Sequence, residues 1–278
     1  MPRAQHSAPG APSLPVLRSA AVRDVTLVMA DPPALLVHDG LSDCPYLPDR
    51  LARTPMQYPI RPLLPEEVDR RLALGFRRQG QLLYRVACPS CAACEAIRLR
   101  VDTFRPSKTQ RRIYRRGVDA FEVEVGPTEY SDERLALYNR HKFERGLART
   151  DLPMTPDGYR SFLVDACCDA FEIRYRYRGA LVGLAVTDRG ADALSAVYTF
   201  YDPALSALSP GVFSILTQVE LCRAWGLSFM YLGLYVAGSE HMRYKATYLP
   251  HERLVDGQWR TFETADRERI DDAPAPSS

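Results

Sequence analysis

The chain has 278 residues, enough to bury one large core or two modest ones, and its 46% hydrophobic and 25% charged residues are ordinary for a soluble globular protein. Lys and Arg number 36 against 34 acidic residues, so a net charge of +2 says little about partners and any nucleic-acid signal must come from local clustering. Apolar runs fall well short of the roughly 20 residues a membrane span needs. The opening MPRAQHSAPGAPSLP lacks the apolar stretch of a signal peptide, so we expect a cytoplasmic protein with no membrane partner.

Residues 1–20 read as a disordered leader and residues 263–278 as a disordered tail, each rich in Pro, Ser, Ala or charge. Between them the pattern predicts an α+β protein in two parts. The first, a smaller cysteine-containing α/β domain over 21–117, opens with VRDVTLVMA, which alternates as a strand does, and PEEVDRRLALG, which has helical spacing and a glycine stop. FRRQGQLLYRV predicts a hairpin around Gln79 and Gly80, and IRLRVDTF a half-buried strand. Ser107 is placed to cap a short basic helix in PSKTQRRIYRRG.

The second part, 118–262, is more legible. AFEVEV reads as a strand, SDERLALYNRHKFERG as a helix capped by Ser131 and stopped at Gly146, and TPDGYRSFLVDAC as a second helix. FEIRYRY and ALVGLAVTD flank Arg178 and Gly179 as a hairpin, and LSAVYTFYD follows as a third strand. After the loop ALSALSPG, the apolar residues Val212, Ile215, Leu216, Val219 and Cys222 fall on one helical face. FMYLGLYV is a strand, HMRYKA a short helix or turn, and ERLVDGQW a final strand. The order β-α-α-β-β-β-α-β-α-β predicts an antiparallel meander followed by a crossover helix and a parallel strand.

That order resembles the GNAT-type acyltransferase fold, a mixed sheet with flanking helices. In such a fold the helix N-terminus after LSAVYTFYD aims its free N–H groups at a ligand, with Gly211 permitting close approach. The segment reads SALSPGVF, with one glycine and no coenzyme A pyrophosphate loop, which argues against an acyl-CoA donor and an N-acetyltransferase.

Longer motifs are more specific. CPYLPDRLARTPMQYP from Cys44, GFRRQGQLLYRVACPSCAACEAIRLRVDTFRPSKTQRR from Gly75, LSAVYTFYDP from Leu194 and YLGLYVAGSEHMRYKATYLPHE from Tyr231 resemble the arginyl-tRNA–protein transferase superfamily. The likeness covers about residues 22–260 and is nearer to the bacterial aspartate/glutamate leucyltransferase branch. It departs at Pro210, Val212 and Phe213, at His241 and at Leu234, and keeps Gly211, Tyr235, Ser239, Met242, Tyr244 and Lys245.

The resemblance implies transfer of leucine from leucyl-tRNA to the α-amine of proteins that begin with Asp or Glu, marking them for degradation by the N-end rule pathway. An activated ester needs no ATP site, and the chain has no phosphate-binding Gly-x-x-x-x-Gly-Lys loop. Tyr198, Tyr235, Ser239 and Tyr244 are the candidate hydroxyl donors to the reacting centre, and Lys245 joins them as a catalytic candidate. An acidic acceptor calls for a fixed cation: Arg243 and Lys245 lie in one segment, Arg77, Arg78 and Arg85 in the other, and of these we expect Arg78 and Arg243.

For tRNA phosphates the best candidate is the cluster Arg98, Arg100, Arg105, Lys108, Arg111, Arg112, Arg115 and Arg116, interleaved with Phe104 and Tyr114 and opposed only by Asp102. A solvated basic face accounts for the same residues. Cys88, Cys91 and Cys94 have C-x-x-C-x-x-C spacing, and with Cys44 they are a candidate ligand set for zinc or an iron–sulfur cluster. Buried thiols without metal are the competing reading. Cys167, Cys168 and Cys222, on predicted helices, read as core residues. Apolar and aromatic segments near the expected site (AVYTF, YLGLYVAG) favour leucine over arginine as the transferred residue. An arginyl transferase and a non-enzymatic tRNA-binding module remain as alternatives.

Overall fold

The computed structural model describes residues 26–148 and 150–265. The leader expected over 1–20, and all but 263–265 of the expected tail, lie outside the described residues.

Short strands dominate the first hundred residues: β1 (Thr26–Val28), β2 (Ala34–His38), β3 (Leu41–Asp43), β4 (Leu51–Arg53) and β5 (Met56–Pro59). Helix α1 (Pro65–Ala73) starts on a proline, and the Glu67 carboxylate accepts the free N–H of Leu64 at 2.7 Å. The expected hairpin follows as β6 (Arg77–Gln79) and β7 (Leu82–Tyr84), with Gly80 at φ +58° in the turn. These strands form a sheet in the order β1-β2-β5-β7-β6, and β3 pairs with β4 alone.

Strand β8 (Glu95–Arg100) and helix α2 (Lys108–Ala120) come next. Ser107 caps α2 as expected: its hydroxyl accepts from Gln110 N at 3.2 Å while the Gln110 side chain accepts from Ser107 N at 2.8 Å. The chain continues through β9 (Glu122–Pro127), α3 (Asp132–Glu144), α4 (Pro156–Tyr159), β10 (Ala170–Tyr177), β11 (Ala180–Arg189), β12 (Ala193–Tyr201), α5 (Pro210–Trp225), β13 (Phe229–Tyr235), α6 (Glu240–Arg243), β14 (His251–Val255) and β15 (Gln258–Phe262).

One eight-stranded sheet organises the molecule, in the order β15-β14-β8-β13-β12-β11-β10-β9. The meander β9–β12 is antiparallel, and β13 joins it parallel to β12 after the α5 crossover, as the GNAT-like reading requires. One face carries α2 and α5, with Phe213 and Val219 of α5 clustered with Leu99, Ile173, Leu194 and Met230 of the sheet. Another cluster sets Leu137, Tyr138, Tyr159 and Leu163 against Leu184 and Phe200.

Four local expectations are corrected. A division at residue 117 is not respected by the sheet, because β8 lies between β14 and β13 and α2 packs on α5. The final strand is a hairpin, β14 and β15, turned at Asp256 and Gly257, both with positive φ. The helix expected in TPDGYRSFLVDAC is one α turn that widens into a π-helical turn over Arg160–Val164. It ends at Asp165, so Cys167 and Cys168 lie in a bend, while Cys222 is a buried core residue of α5.

Candidate active site

Strands β12 and β13 pair only over Ala193–Ser195 and Phe229–Tyr231, and then part. Each is bulged near that point. Val197 is an extra residue in β12 against β11, and Leu232 is one in β13 against β8. A bulge bends its strand and re-aims the side chains beyond it, which opens a cleft where a parallel ladder would continue. Helix α5 begins beside this cleft. Its cap residue Ser209 is left-handed at φ +56° and makes no side-chain cap bond. A Cβ on Gly211 would lie 3.5 Å from the Tyr201 ring, an ordinary contact, so this glycine answers no steric demand inside the protein.

Two cations close the base of the parting. Arg77 reaches in from β6 and donates from Nη2 to the Ala196 carbonyl at 2.8 Å. Lys245, in the 3-10 turn Tyr244–Thr247, donates from Nζ to the Leu234 carbonyl at 2.7 Å and lies 3.3 Å from the Met242 sulfur. Both side chains face Gly233, whose φ is +90°: a Cβ there would lie 3.4 Å from Arg77 Nη2 and 3.4 Å from Lys245 Nζ. Burial, and then the Arg77 charge, pull Lys245 down to about 7. Arg77 is one of the five cations that the sequence offers for an acidic acceptor. Its signal was the Arg77-Arg78 pair on a strand, but strand alternation alone does not say which faces the cleft.

The hydroxyl candidates divide. Tyr235 is buried at the end of β13 with the Arg253 guanidinium 4.7 Å from its ring centre. Ser239 is buried, and its carbonyl, rather than its hydroxyl, accepts from Met242 N and Arg243 N. Tyr244 is 44% exposed and its ring meets Tyr248 edge-on. Tyr198 packs with Tyr138, Phe162 and Phe200 in the cluster beside α3. His141 is a poor proton acceptor at neutral pH, because burial holds it down to about 4 against the opposing pull of the Tyr201 carbonyl, 2.9 Å from Nδ1.

Arg78 already holds a carboxylate of the protein itself. Its Nε donates to Asp188 at 2.7 Å and Nη1 to the Gly80 and Asp165 carbonyls, all within the interior. Arg243 is exposed, 3.9 Å from Glu240, and free to reorient.

The basic cluster also divides. Arg98 belongs inside: it bonds Glu252 at 2.6 Å and the Tyr231 hydroxyl at 2.9 Å, between the rings of Phe229 and Trp259. Arg100 pairs with Asp102, Arg105 folds back on the Asp102 and Phe104 carbonyls, and Phe104 is fully buried. What remains is helical: Lys108, Arg111, Arg112, Arg115 and Arg116 are exposed along α2. That helix lies on α5 at Phe213, where Gly117 permits contact and Tyr114 stacks at 5.6 Å. A groove of about 270 Å³ between the helices is lined by Arg111, Tyr114, Arg115 and Leu216.

The four cysteines share a neighbourhood but not a ligand geometry. The charges of Cys44, Cys88 and Cys91 all reach Cys94, whose thiol is pushed up to about 12, chiefly by burial. Cys88 sulfur accepts from Arg53 N at 3.4 Å, and among the described residues no three His, Cys, Asp or Glu are arranged to hold a metal ion. The zinc or iron–sulfur expectation at Cys44, Cys88, Cys91 and Cys94 is thus not shown by this arrangement.

A splayed β12/β13 pair beside a crossover helix defines the GNAT-like class of acyltransferase fold. Within that class, the sequence profiles of the arginine-tRNA-protein transferase N terminus and C terminus match residues 42–112 and 133–255. An aspartate/glutamate leucyltransferase of Thiobacillus denitrificans is 38% identical over 225 residues, 80% of this chain and 92% of the relative. One of Alcanivorax borkumensis is 39% identical, over 78% of this chain and 89% of its own. The chain belongs to the arginine-tRNA-protein transferase family. Among solved structures, the C-terminal domain of an Agrobacterium fabrum protein named as a lysylphosphatidylglycerol synthetase superposes with a TM-score of 0.45 at 15% identity, over 72% of this chain and 64% of that one.

Proposed function

We propose that the protein transfers leucine from leucyl-tRNA to the α-amine of proteins that begin with Asp or Glu, in the cytoplasm, as a step that marks them for N-end rule degradation. The observation that carries this reading is the likeness, along 80% of the chain, to enzymes named aspartate/glutamate leucyltransferase. Helix α5 opens on Ser209, Pro210 and Gly211 with no pyrophosphate-gripping glycine run, in keeping with a donor other than an acyl-CoA. The exposed arginines of α2 lie on the neighbouring helix, within reach of a nucleic-acid backbone approaching the cleft.

In the reaction, the amine nitrogen bonds the leucyl carbonyl carbon, the ester bond to the ribose breaks, and the ribose hydroxyl takes up a proton. The donor is already activated, so aminolysis calls for neither ATP nor metal, and no step runs through the cysteines. Holding the two substrates together supplies much of the acceleration. Lys245, near half-protonated at neutral pH, accepts the amine's proton. Tyr235, Tyr244 and Ser239, at the cleft end of β13 and α6, supply the surrounding hydroxyls.

Labelled leucyl-tRNA and arginyl-tRNA, offered with peptides beginning in Asp, Glu, Arg or Lys, test the proposal. Leucine transfer to Asp and Glu alone is expected. Arginine transfer would select the arginyl reading, and transfer to Arg or Lys starts would exclude an acidic acceptor.

A further inference from the structure

Resting on the transfer reaction above, we propose that Arg77 reads the acceptor: its guanidinium receives the side-chain carboxylate of the N-terminal Asp or Glu. Arg77 is 7% exposed, and its Nη1 has no hydrogen-bond partner. Of the other buried arginines, Arg71 donates to the Pro32 carbonyl, whereas Arg78, Arg134 and Arg253 each hold a carboxylate, from Asp188, Glu172 and Glu95. Among the described residues none is in ion-pair contact with Arg77. Asp188, whose charge reaches it, is bonded to Arg78 instead.

A buried guanidinium with an open donor is costly unless something compensates it. A carboxylate that enters between β12 and β13 does so, in the planar fork that arginine offers and lysine does not. The placement also suits the chemistry. In an N-terminal Asp the carboxylate and α-amine are separated by two carbons, so a carboxylate on Arg77 leaves the amine beside Lys245. Gly233 makes room for this, having no side chain between the two cationic tips. A residue with a neutral side chain leaves Arg77 uncompensated, and that penalty sets the preference for acidic starts.

The test uses the full chain, leucyl-tRNA, and peptides that differ only in a first residue of Asp, Glu or Asn. Wild-type protein is expected to favour Asp and Glu. Arg77→Gln is expected to lower kcat/KM on Asp and Glu about 100-fold, mainly through KM, and to change Asn by less than about threefold. Arg77→Lys, which keeps charge without the fork, should discriminate at an intermediate level. Peptide binding without donor tRNA should follow the same order, with circular dichroism reporting the fold.

Equal losses on Asp and Asn would give Arg77 an oxyanion-stabilising or structural role and overturn the assignment. So would a folded Arg77→Gln or Arg77→Lys variant with wild-type discrimination. Wild-type protein that moves no leucine would sink the transfer reading alone: the binding arm still decides Arg77, since a preference for Asp over Asn that Arg77→Gln abolishes sustains it.

Discussion

Arg77 and Lys245 meet across Gly233, each bonded to a backbone carbonyl, Ala196 at 2.8 Å and Leu234 at 2.7 Å, at the point where β12 and β13 separate. Two cations held together out of water destabilise each other's charged form. Arginine stays protonated, so the lysine yields.

That asymmetry fixes a pH dependence. Lys245 is pulled from 10.5 down to about 7, so its neutral, proton-accepting fraction grows as pH rises through that value. Transfer kcat/KM should climb with pH below about 7 and level off above it, until the acceptor amine's own titration near 7.7–8.0 intervenes. Lys245→Met should slow single-turnover transfer by about 10²–10⁴ and erase the limb near 7. A limb that survives in the variant assigns the proton to another group. Stability carries the same signature: between about 7 and 10.5 the unfolded chain binds the extra proton, so unfolding free energy rises with pH over that window. Denaturant titrations of Lys245→Met should lose this rise.

Helix α2 should carry most of the salt sensitivity of tRNA binding. Replacing Arg111, Arg112 and Arg115 by Gln removes three exposed charges from one helix without touching the sheet. The slope of log affinity against log salt should become shallower by about 2 if these residues neutralise phosphates. An unchanged slope would place the tRNA elsewhere. Arg98→Gln, by contrast, should act on stability, since Arg98 is bonded to Glu252 between two aromatic rings.

The neighbouring arginines on β6 should behave differently. Arg78→Met strands Asp188 in the interior and should cost about 3–5 kcal/mol in denaturant unfolding. The double variant with Asp188→Leu should recover part of that loss, because it strands no charge. Whatever Arg78→Met protein folds should keep its preference for Asp over Asn peptides. Loss of that preference would move acceptor recognition from Arg77 to Arg78.

Gly117 tests how closely α2 and α5 must meet. A Cβ there would lie 2.2 Å from the Phe213 ring, which is itself 1% exposed and cannot move far. Gly117→Ala should destabilise by about 1–3 kcal/mol through overpacking, despite alanine's better helix propensity. A stabilised variant would mean that the helices separate at little cost.

Much of this molecule was written locally. Ser107 and Ser131 cap the helices predicted for them, and the strand order through β12, α5 and β13 followed from alternation, helical spacing and turn residues. The long motifs around Cys44, Gly75, Leu194 and Tyr231 were enough for the family, since likeness of sequence needs no coordinates. Lys245 too was visible, inside YKATYLPHE.

Only the tertiary structure decided which cations work inside and which outside. Arg77 and Arg78 are adjacent on one strand, yet Arg78 holds the Asp188 carboxylate while Arg77 holds none and bonds the Ala196 carbonyl where β12 and β13 part. Arg98 leaves the basic surface for Glu252, a partner 154 positions away, and the cysteines come near one another without converging. The physical reason is range. Helix spacing, strand alternation and capping depend on neighbours a few residues apart, whereas the state of a buried charge depends on whichever distant carboxylate or carbonyl the folded chain brings against it.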